Sequence, residues 1–242
     1  MKAEKFQIIL LHFAGGSAYS YDFLKKQLTI SNAIEFHALE LPGRGRRHSE
    51  ACISSKEAAI HDYVQQIKNL RNSKPYLIYG HSMGATLGLS ITKEMENSGD
   101  SPVILITSGN PGPGIKETAE NQQKRYLMND SDFKKELRKL GGVPEEVLTN
   151  QELYEFFGPI MRADFKVLEN DDFSEKGLKI NTPIHAIMGT EEWQNECIDN
   201  WKNFTKSGFQ HSILSGNHFF IHQNAVQLSE IILKYTQSPA LY

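Results

Sequence analysis

Apolar residues along this chain form short continuous runs that alternate with segments of helical spacing. A run without polar interruption, such as "FQIILLHF", is typical of a strand buried on both faces of a sheet. We predict six such strands, at residues 6–13, 34–43, 75–80, 101–109, 182–190 and 210–216. Helical spacing follows several of them, and the last helix is expected at about 225–235. This alternation predicts an α/β fold with a mostly parallel central sheet flanked by helices.

One segment interrupts the alternation of strands and helices. Residues 115–177 show helical patterns such as "DSDFKKELRKL" and contain no convincing strand. The "LGGVP" within the segment is typical of a helix end followed by a turn. We therefore expect one domain, residues 1–242, with an inserted helical lid at 115–177.

Composition narrows the functional classes. The 242 residues contain 26 Lys and Arg against 29 Asp and Glu, a net charge of −3 that argues against a nucleic-acid binder. Two cysteines, Cys52 and Cys197, make no disulfide framework, and neither a signal peptide nor a transmembrane run is apparent. We expect a cytoplasmic protein.

The stretch "YLIYGHSMGATLGL" places Ser82 between two glycines, Gly80 and Gly84. An apolar strand precedes the serine and a helical pattern follows it, which is the context of a nucleophile elbow. At such a turn the amide after the serine, that of Met83, lies at a helix N-terminus and can donate to an oxyanion. The alternative is a glycine-rich turn with an incidental serine.

A serine hydroxyl needs a base to become a nucleophile at neutral pH. His218, in the loop after the last predicted strand, has the expected place in the chain, whereas His222 falls on a possible helix. His81, beside the serine, is interpreted as a packing or hydrogen-bonding residue of the turn. The base in turn needs a carboxylate, and the loop after the fifth strand offers Glu192, with Glu191 next in preference.

Asp164 is a third candidate for the acid, behind the two glutamates. The order Ser82, Glu192, His218 is that of the α/β-hydrolase fold. A second oxyanion donor is expected from the loop "HFAGGS", where the amide of Ala14 is preferred and that of Phe13 is adjacent. The glycines of this loop let the backbone approach a substrate carbonyl closely, and they also suit a simple turn.

Several motifs together resemble one family, the external type II thioesterases of nonribosomal peptide and polyketide synthetases. "LHFAGGSAYSY", "LELPGRGRR", "YGHSMGA", "LRKLGGVPEEVL", "FFGPIMRADFKVLENDDF", "TPIHAIMGTEE" and "SGNHFFIH" occur in the family's order over nearly the whole chain. The family pattern has Asp where this sequence has Glu192, so the chain departs from it at the acid.

The resemblance implies hydrolysis of acyl thioesters from the phosphopantetheine arm of an acyl or peptidyl carrier protein. It implies neither a metal nor a cofactor. A monomer is expected for a chain of this size. The rivals are a general carboxylesterase or lipase with the same triad, a binding protein that has kept a hydrolase scaffold, and an enzyme that transfers the acyl group to a nucleophile other than water.

Two further groups of residues have open interpretations. Carrier proteins are usually acidic, so Arg44, Arg46 and Arg47 of "PGRGRR" could steer such a partner or the phosphate of its arm, or could pair with nearby carboxylates. The lid's apolar residues could line an acyl channel, although helical spacing favours a core role. These residues are Phe156, Phe157, Ile160 and Met161.

Overall fold

A computed structural model describes residues 5–29, 33–115, 124–170, 174–192 and 194–237. Six parallel strands form one sheet in the order β2-β1-β3-β4-β5-β6. The strands are β1 (Phe6–Leu11), β2 (Ile34–Leu39), β3 (Tyr76–His81), β4 (Leu105–Ser108), β5 (Ile184–Gly189) and β6 (Phe209–Leu214). The prediction of a mostly parallel sheet is confirmed.

Seven α-helices accompany the strands within the described ranges. They are α1 (Asp22–Leu28), α2 (Lys56–Leu70), α3 (Met83–Asn97), α4 (Asp130–Leu140), α5 (Glu145–Thr149), α6 (Gln151–Glu169) and α7 (Ala225–Gln237). Short 3-10 helices occur at Ala18–Tyr21, Gly45–Arg47, Arg125–Leu127 and Asn195–Phe204. No helix in the described ranges has the length and apolar content needed to cross a membrane.

Alternate residues of each central strand face opposite layers of helices. Ile9 and Leu11 of β1 pack in a core with residues of α2 and α3, whereas Ile8 and Leu10 pack in a second core with residues of α1 and α7. A strand covered on both faces must be apolar at successive positions, which explains the uninterrupted run in the sequence. The sheet is therefore the middle layer of three.

Most of the predicted strands are longer than the observed ones, although the third, predicted at 75–80, has the observed length. β1 ends at Leu11 because the next residues enter a turn, closed by a hydrogen bond from the amide of Gly16 to the carbonyl of Phe13 (2.9 Å). β4 begins at Leu105, although the apolar pattern begins at residue 101. Apolar residues next to a strand are buried as well, so hydropathy alone does not mark where the ladder ends.

The segment predicted as a lid is mostly helical where it is described, with non-helical residues at 141–144 and 174–177. Residues 116–123 and 171–173 lie outside the described residues. Helices α4, α5 and α6 share a small core of their own that includes Phe133, Leu137 and Phe165. α4 ends at Leu140 and is followed by the C-cap residue Gly141, whose φ of 78° suits glycine. Pro159 lies inside α6, so the backbone hydrogen bond that residue 159 would donate to the carbonyl of Glu155 cannot form.

Candidate active site

The sharp turn between β3 and α3 carries Ser82. Its φ of 53° and ψ of −110° are unusual for a side-chain-bearing residue, and among the described residues it is the only non-glycine residue with positive φ. Its amide donates to the carbonyl of Ser108 on β4 (2.7 Å), which fixes the turn to the sheet. This geometry is that of a nucleophile elbow.

The two glycines around Ser82 are required by close backbone contacts. A Cβ at Gly80 would lie 2.1 Å from the carbonyl oxygen of Gly84, and a Cβ at Gly84 would lie 2.1 Å from that of Leu11. No real Cβ atom tolerates such distances, so both positions need glycine for space rather than for backbone freedom. The second contact also shows that the first turn of α3 lies directly against the end of β1.

His218 lies within hydrogen-bond distance of Ser82. Its Nε2 is 3.1 Å from the Ser82 hydroxyl oxygen, and its Nδ1 is 2.7 Å from Oε1 of Glu192. Because a carboxylate only accepts, the network assigns the proton of the neutral ring to Nδ1 and leaves Nε2 free to accept the serine proton. Three residues from three separate loops thus form one hydrogen-bonded chain.

The carboxylate of Glu192 is held at both oxygens. Oε2 accepts from the amide of Gly189 at the end of β5 (2.7 Å) while Oε1 faces His218. The side chain is 8% exposed, against 24% for His218. Glu191, the alternative acid, is exposed, and its backbone amide instead donates to the carbonyl of Gly216 (2.9 Å).

Asp164, the third candidate for the acid, lies elsewhere. It is fully buried on α6, where it receives hydrogen bonds from the Arg44 guanidinium (2.5 and 2.7 Å) and from the amide of Gly15 (2.8 Å). With its oxygens occupied in this way, Asp164 is not the partner of His218. Burial alone would lower the pKa of Arg44, but the hydrogen bond and charge of Asp164 raise it above its ordinary value.

This pairing corrects one expectation about the arginines. Arg44 is only 3% exposed and cannot be a surface contact for a partner protein. Arg47 pairs with Glu50 (2.7 Å) and Asp62 (2.7 Å), as the alternative interpretation predicted. Arg46 is exposed, and no ion pair of its side chain is found among the described residues. Sequence reasoning missed the link from Arg44 to Asp164, because no local pattern joins residues 120 positions apart.

The two expected oxyanion donors are the amides of Met83 and Ala14. Met83 is the first residue of α3, and Ala14 belongs to the loop that follows β1, residues 12–17, named here the β1 loop. No hydrogen bond from either amide is found within the described part of the chain. Both are therefore available to a substrate oxygen, whereas the amide of Gly15 is already bound to Asp164.

His81 is a fully buried neighbour of the site. Its Nδ1 lies 2.8 Å from the hydroxyl of Ser108, and its ring centre lies 5.1 Å from that of His218. Burial, followed by the charge of His218, holds the pKa of His81 well below its ordinary value. His81 is thus neutral at neutral pH, and it adds no positive charge beside the base.

A cleft of about 360 Å³ opens beside the β1 loop. Its walls come from that loop, from the turn after β2 and from α6, and they include Gly15, Tyr19, Arg44, Gly45, His48, Phe156, Phe157 and Ile160. Phe156 is 55% exposed, whereas Met161 is 3% exposed and belongs to the core of α4–α6. The four apolar residues of the predicted lid are therefore divided: Phe156, Phe157 and Ile160 line the cleft, and Met161 is core.

Comparison with known proteins agrees with this geometry. The sequence profile of the thioesterase domain family matches residues 6–236. A Brevibacillus parabrevis protein named linear gramicidin dehydrogenase LgrE is 30% identical over 236 residues, covering 94% of this chain and 86% of that protein. Its name denotes an oxidoreductase, whereas the hydrogen-bonded Ser82, His218 and Glu192 are the groups of a serine hydrolase.

Two solved structures cover almost the whole chain. The type II thioesterase BorB from the borrelidin biosynthetic cluster superposes with a TM-score of 0.85 at 26% identity, covering 97% of this chain and 94% of BorB. ClbQ from the colibactin nonribosomal peptide and polyketide pathway superposes with a TM-score of 0.87 at 26% identity, covering 98% of each chain. The chain therefore belongs to the thioesterase domain family, and it is a type II thioesterase with the α/β-hydrolase fold, as the resemblance predicted.

Proposed function

We propose that this thioesterase removes acyl groups from the phosphopantetheine arm of a carrier protein in a nonribosomal peptide or polyketide assembly line. The observation that carries the proposal is the hydrogen-bonded chain from Ser82 through His218 to Glu192, in a protein of the thioesterase family. The solved structure ClbQ comes from a pathway of this kind, and BorB is a type II thioesterase from the borrelidin biosynthetic cluster.

In the first half of the reaction Ser82 attacks the thioester carbonyl carbon while Nε2 of His218 takes the hydroxyl proton. The carbonyl oxygen becomes an oxyanion that the amides of Met83 and Ala14 stabilise. The C–S bond then breaks, and His218 returns the proton to the departing sulfur. Glu192 orients the ring and stabilises the imidazolium without taking its proton.

The second half repeats the cycle with water. His218 removes a proton from a water molecule, whose oxygen attacks the acyl-enzyme ester at the carbonyl carbon. The oxyanion forms again on the same two amides, the bond to the Ser82 oxygen breaks, and His218 returns the proton to that oxygen. The products are a free carboxylic acid and the thiol of the carrier arm.

The proposal also covers the contact with the carrier protein and the lid. Arg46 is exposed and lies in the chain between Gly45 and His48, both of which line the cleft. We assign Arg46, rather than Arg44 or Arg47, to the contact with an acidic carrier protein. The helical block α4–α6 is assigned as the lid, since α6 supplies one wall of the cleft. A monomer in the cytoplasm stays a prediction.

Mass spectrometry of a carrier protein loaded with a short acyl group tests the proposal. The acyl mass should disappear with the wild-type chain, and the free acid should appear. With Ser82→Ala the rate should fall by at least about 10³-fold, because the nucleophile is lost. Undiminished hydrolysis by Ser82→Ala would exclude this mechanism, and an inert wild-type chain would favour a binding protein on a hydrolase scaffold.

A kinetic comparison of two substrates distinguishes a thioesterase from a general esterase. Acyl-phosphopantetheine carrier protein and a simple oxygen ester of the same acid are compared by kcat/KM. We expect the thioester on the carrier protein to be preferred. A clear preference for the oxygen ester would identify the chain as a general carboxylesterase.

A further inference from the structure

A buried ion pair joins three separate parts of the chain next to the active site. Asp164 of α6 is fully buried, and Arg44 of the turn after β2 is 3% exposed. Oδ2 of Asp164 accepts from Nη1 of Arg44 and from the amide of Gly15 (2.8 Å), and the same Nη1 lies 3.2 Å from the carbonyl of Gly16. The proposed lid helix is thus bound to the middle of the β1 loop.

The β1 loop needs such an external support. Gly15 has a φ of 77°, which glycine adopts without penalty but does not impose by itself. A second contact comes from α6 one turn before Asp164: a Cβ at Gly15 would lie 2.9 Å from Cγ of Met161. Met161 and Asp164 are three residues apart and therefore lie on one face of α6. This face packs against the β1 loop through Met161 and accepts the hydrogen bond of the Gly15 amide through Asp164.

The residue before Gly15 is Ala14, whose amide is the proposed second oxyanion donor. The amide of Gly15 and the carbonyl of Ala14 share one peptide plane, which the Cα of Ala14 joins to the plane that carries the Ala14 amide. A shift of the first plane therefore redirects the second. A misplaced oxyanion donor loses its effect because the transition-state charge develops at one position only. A hydrogen bond from the Gly15 amide to a charged acceptor is among the stronger ways to fix this backbone.

Burial of the ion pair also needs an explanation beyond stability. Two charges removed from water contribute little net stability compared with well-packed apolar residues of the same size. An apolar pair at these positions could fill the space between α6 and the turn after β2, but it could not accept a hydrogen bond from Gly15. The arrangement therefore fits a role at the amide of Gly15 better than a role in cohesion alone.

We propose that Asp164, held in place by Arg44, is a positioning residue that sets the β1 loop so that the Ala14 amide faces the oxyanion. The proposed lid helix then completes the oxyanion hole as well as covering the cleft. This inference rests on the proposed thioesterase mechanism. It assigns to Asp164 an effect on the transition state and little effect on binding of the ground-state substrate.

The main test is the double variant Arg44→Met/Asp164→Leu, which removes both buried charges together and so avoids leaving one unpaired. Urea unfolding followed by circular dichroism establishes that the variant folds. Steady-state kinetics on acyl carrier protein should then show kcat lowered by about 30-fold or more with KM within threefold, since a misaimed donor loses much of its effect. A folded double variant with kcat within threefold of wild type would overturn the proposal.

The inhibition constant of an alkyl trifluoromethyl ketone distinguishes a defect in the oxyanion hole from a general loosening of the fold. The Ser82 oxygen adds to the carbonyl carbon of the ketone, His218 takes the proton, and the carbonyl oxygen becomes an oxyanion in the same hole. The inhibition constant should rise in the double variant in proportion to the loss in kcat. An unchanged inhibition constant would contradict the positioning role.

The chain offers a matched control in a second buried ion pair, Lys56 with Glu175, whose side chains are 10% and 3% exposed. In the described part of the chain, no hydrogen bond or ion pair joins Lys56 or Glu175 to the β1 loop. The double variant Lys56→Met/Glu175→Leu should keep kcat and the ketone inhibition constant within about twofold of wild type. An equal loss in this control would show a general effect of removing buried charges and would overturn the inference.

If Arg44→Met/Asp164→Leu does not fold, a backbone change decides the question. Replacement of Gly15 by glycolic acid converts its amide to an ester and removes the donor while both charges stay in place. A drop of about tenfold in kcat at unchanged KM is expected, and kcat within twofold of wild type would contradict the proposal. A wild-type chain that binds the ketone tightly but leaves the carrier protein loaded would contradict the proposed function instead. In that case the inhibition constants of wild type and of the double variant would still decide the role of Asp164.

Discussion

At the scale of single residues, the proposed acid of the site is Glu192, whose longer side chain is fixed by a backbone amide. A glutamate has one more rotatable bond than an aspartate, and it needs a further contact to present one oxygen steadily to a histidine. The amide of Gly189 supplies that contact through Oε2. Although the family pattern has Asp at this position, Glu192 therefore still orients His218.

Replacement of the acid tests this interpretation. Glu192→Gln keeps the shape of the side chain but removes the charge that stabilises the imidazolium, so kcat should fall by about 10³-fold with little change in KM. The measurement is steady-state hydrolysis of acyl carrier protein at neutral pH. The exposed neighbour supplies the control: Glu191→Gln should keep kcat within about twofold of wild type. Comparable losses in both variants would show that neither glutamate has a specific role.

The sequence predicted some residues of the site and missed others for a physical reason. Ser82 and His218 could be proposed because the turn between a strand and a helix, and the loop after the last strand, leave a local pattern. The burial of Arg44 could not be proposed, since its partner Asp164 lies on a helix far along the chain and both residues look like surface charges in isolation. Pairings of this kind depend on tertiary structure alone.

At the scale of elements, the contact between α3 and β1 decides how closely the nucleophile approaches the β1 loop. Gly84 allows this contact at the first turn of α3. One turn later, Gly88 faces only side chains: its Cβ would lie 3.1 Å from Cδ1 of Leu105. In the same helix, Gly84 therefore packs against rigid backbone, whereas Gly88 packs against a side chain that can move.

The two glycines give contrasting predictions for stability. Gly84→Ala should lower the free energy of unfolding by at least about 3 kcal/mol, because the Leu11 carbonyl cannot move without disturbing β1. Gly88→Ala should change it by no more than about 1 kcal/mol, since the higher helix propensity of alanine offsets the tight contact. Urea unfolding curves measure both. A Gly84→Ala variant as stable as wild type would contradict the close packing described here.

Element types were more predictable than element ends, and the longest 3-10 helix was among the elements that were missed. The 3-10 helix at Asn195–Phe204 buries Ile198, Trp201 and Phe204, which recur at every third residue. That spacing matches three residues per turn, and it was present in the sequence without being used. β4 is shorter than predicted because hydropathy reports burial, whereas strand ends depend on hydrogen bonds to neighbours.

At the scale of the whole molecule, buried histidines make stability depend on pH. His185 on β5 contacts the hydroxyls of Tyr235 (2.7 Å) and Ser212 (2.9 Å). Burial, with smaller contributions from the charges of Lys234 and His211, lowers its pKa from 6.5 to about 4. The unfolded chain therefore binds a proton at this residue between pH 6.5 and about 4 while the folded chain does not, so stability falls as the pH falls through that window.

Comparison of wild type with His185→Gln isolates this contribution. Between pH 6.5 and 5 the free energy of unfolding of wild type should fall more steeply than that of the variant, by up to about 1.4 kcal/mol per pH unit. Urea unfolding at several pH values gives both slopes. Because the variant also loses hydrogen bonds, the difference in slope is the readout rather than the stability at any one pH. Equal slopes would show that the pKa of His185 is the same in the folded and unfolded chains, against the shift described here.

Surface charge supplies the prediction for partner binding. Arg46→Ala should lower kcat/KM for acyl carrier protein by about three- to tenfold at low salt and leave hydrolysis of a small acyl-pantetheine thioester unchanged, since only the protein partner carries an extended acidic surface. Added salt should reduce the difference. Lys206, an exposed cation after Thr205 near the opposite ends of the strands, provides the control, and Lys206→Ala should have no effect. Equal effects on both substrates would exclude Arg46 as a docking contact.

Pro159 within α6 bears on the width of the cleft, because α6 supplies one of its walls. Pro159 divides the helix into a first half that carries the exposed Phe156 and a second half that carries the buried Asp164. A missing backbone hydrogen bond makes a helix easier to bend at that position. We therefore expect the half of α6 that carries Phe156 to tilt more readily than the half that carries Asp164, so that a change in the width of the cleft leaves the contact between Asp164 and Gly15 in place.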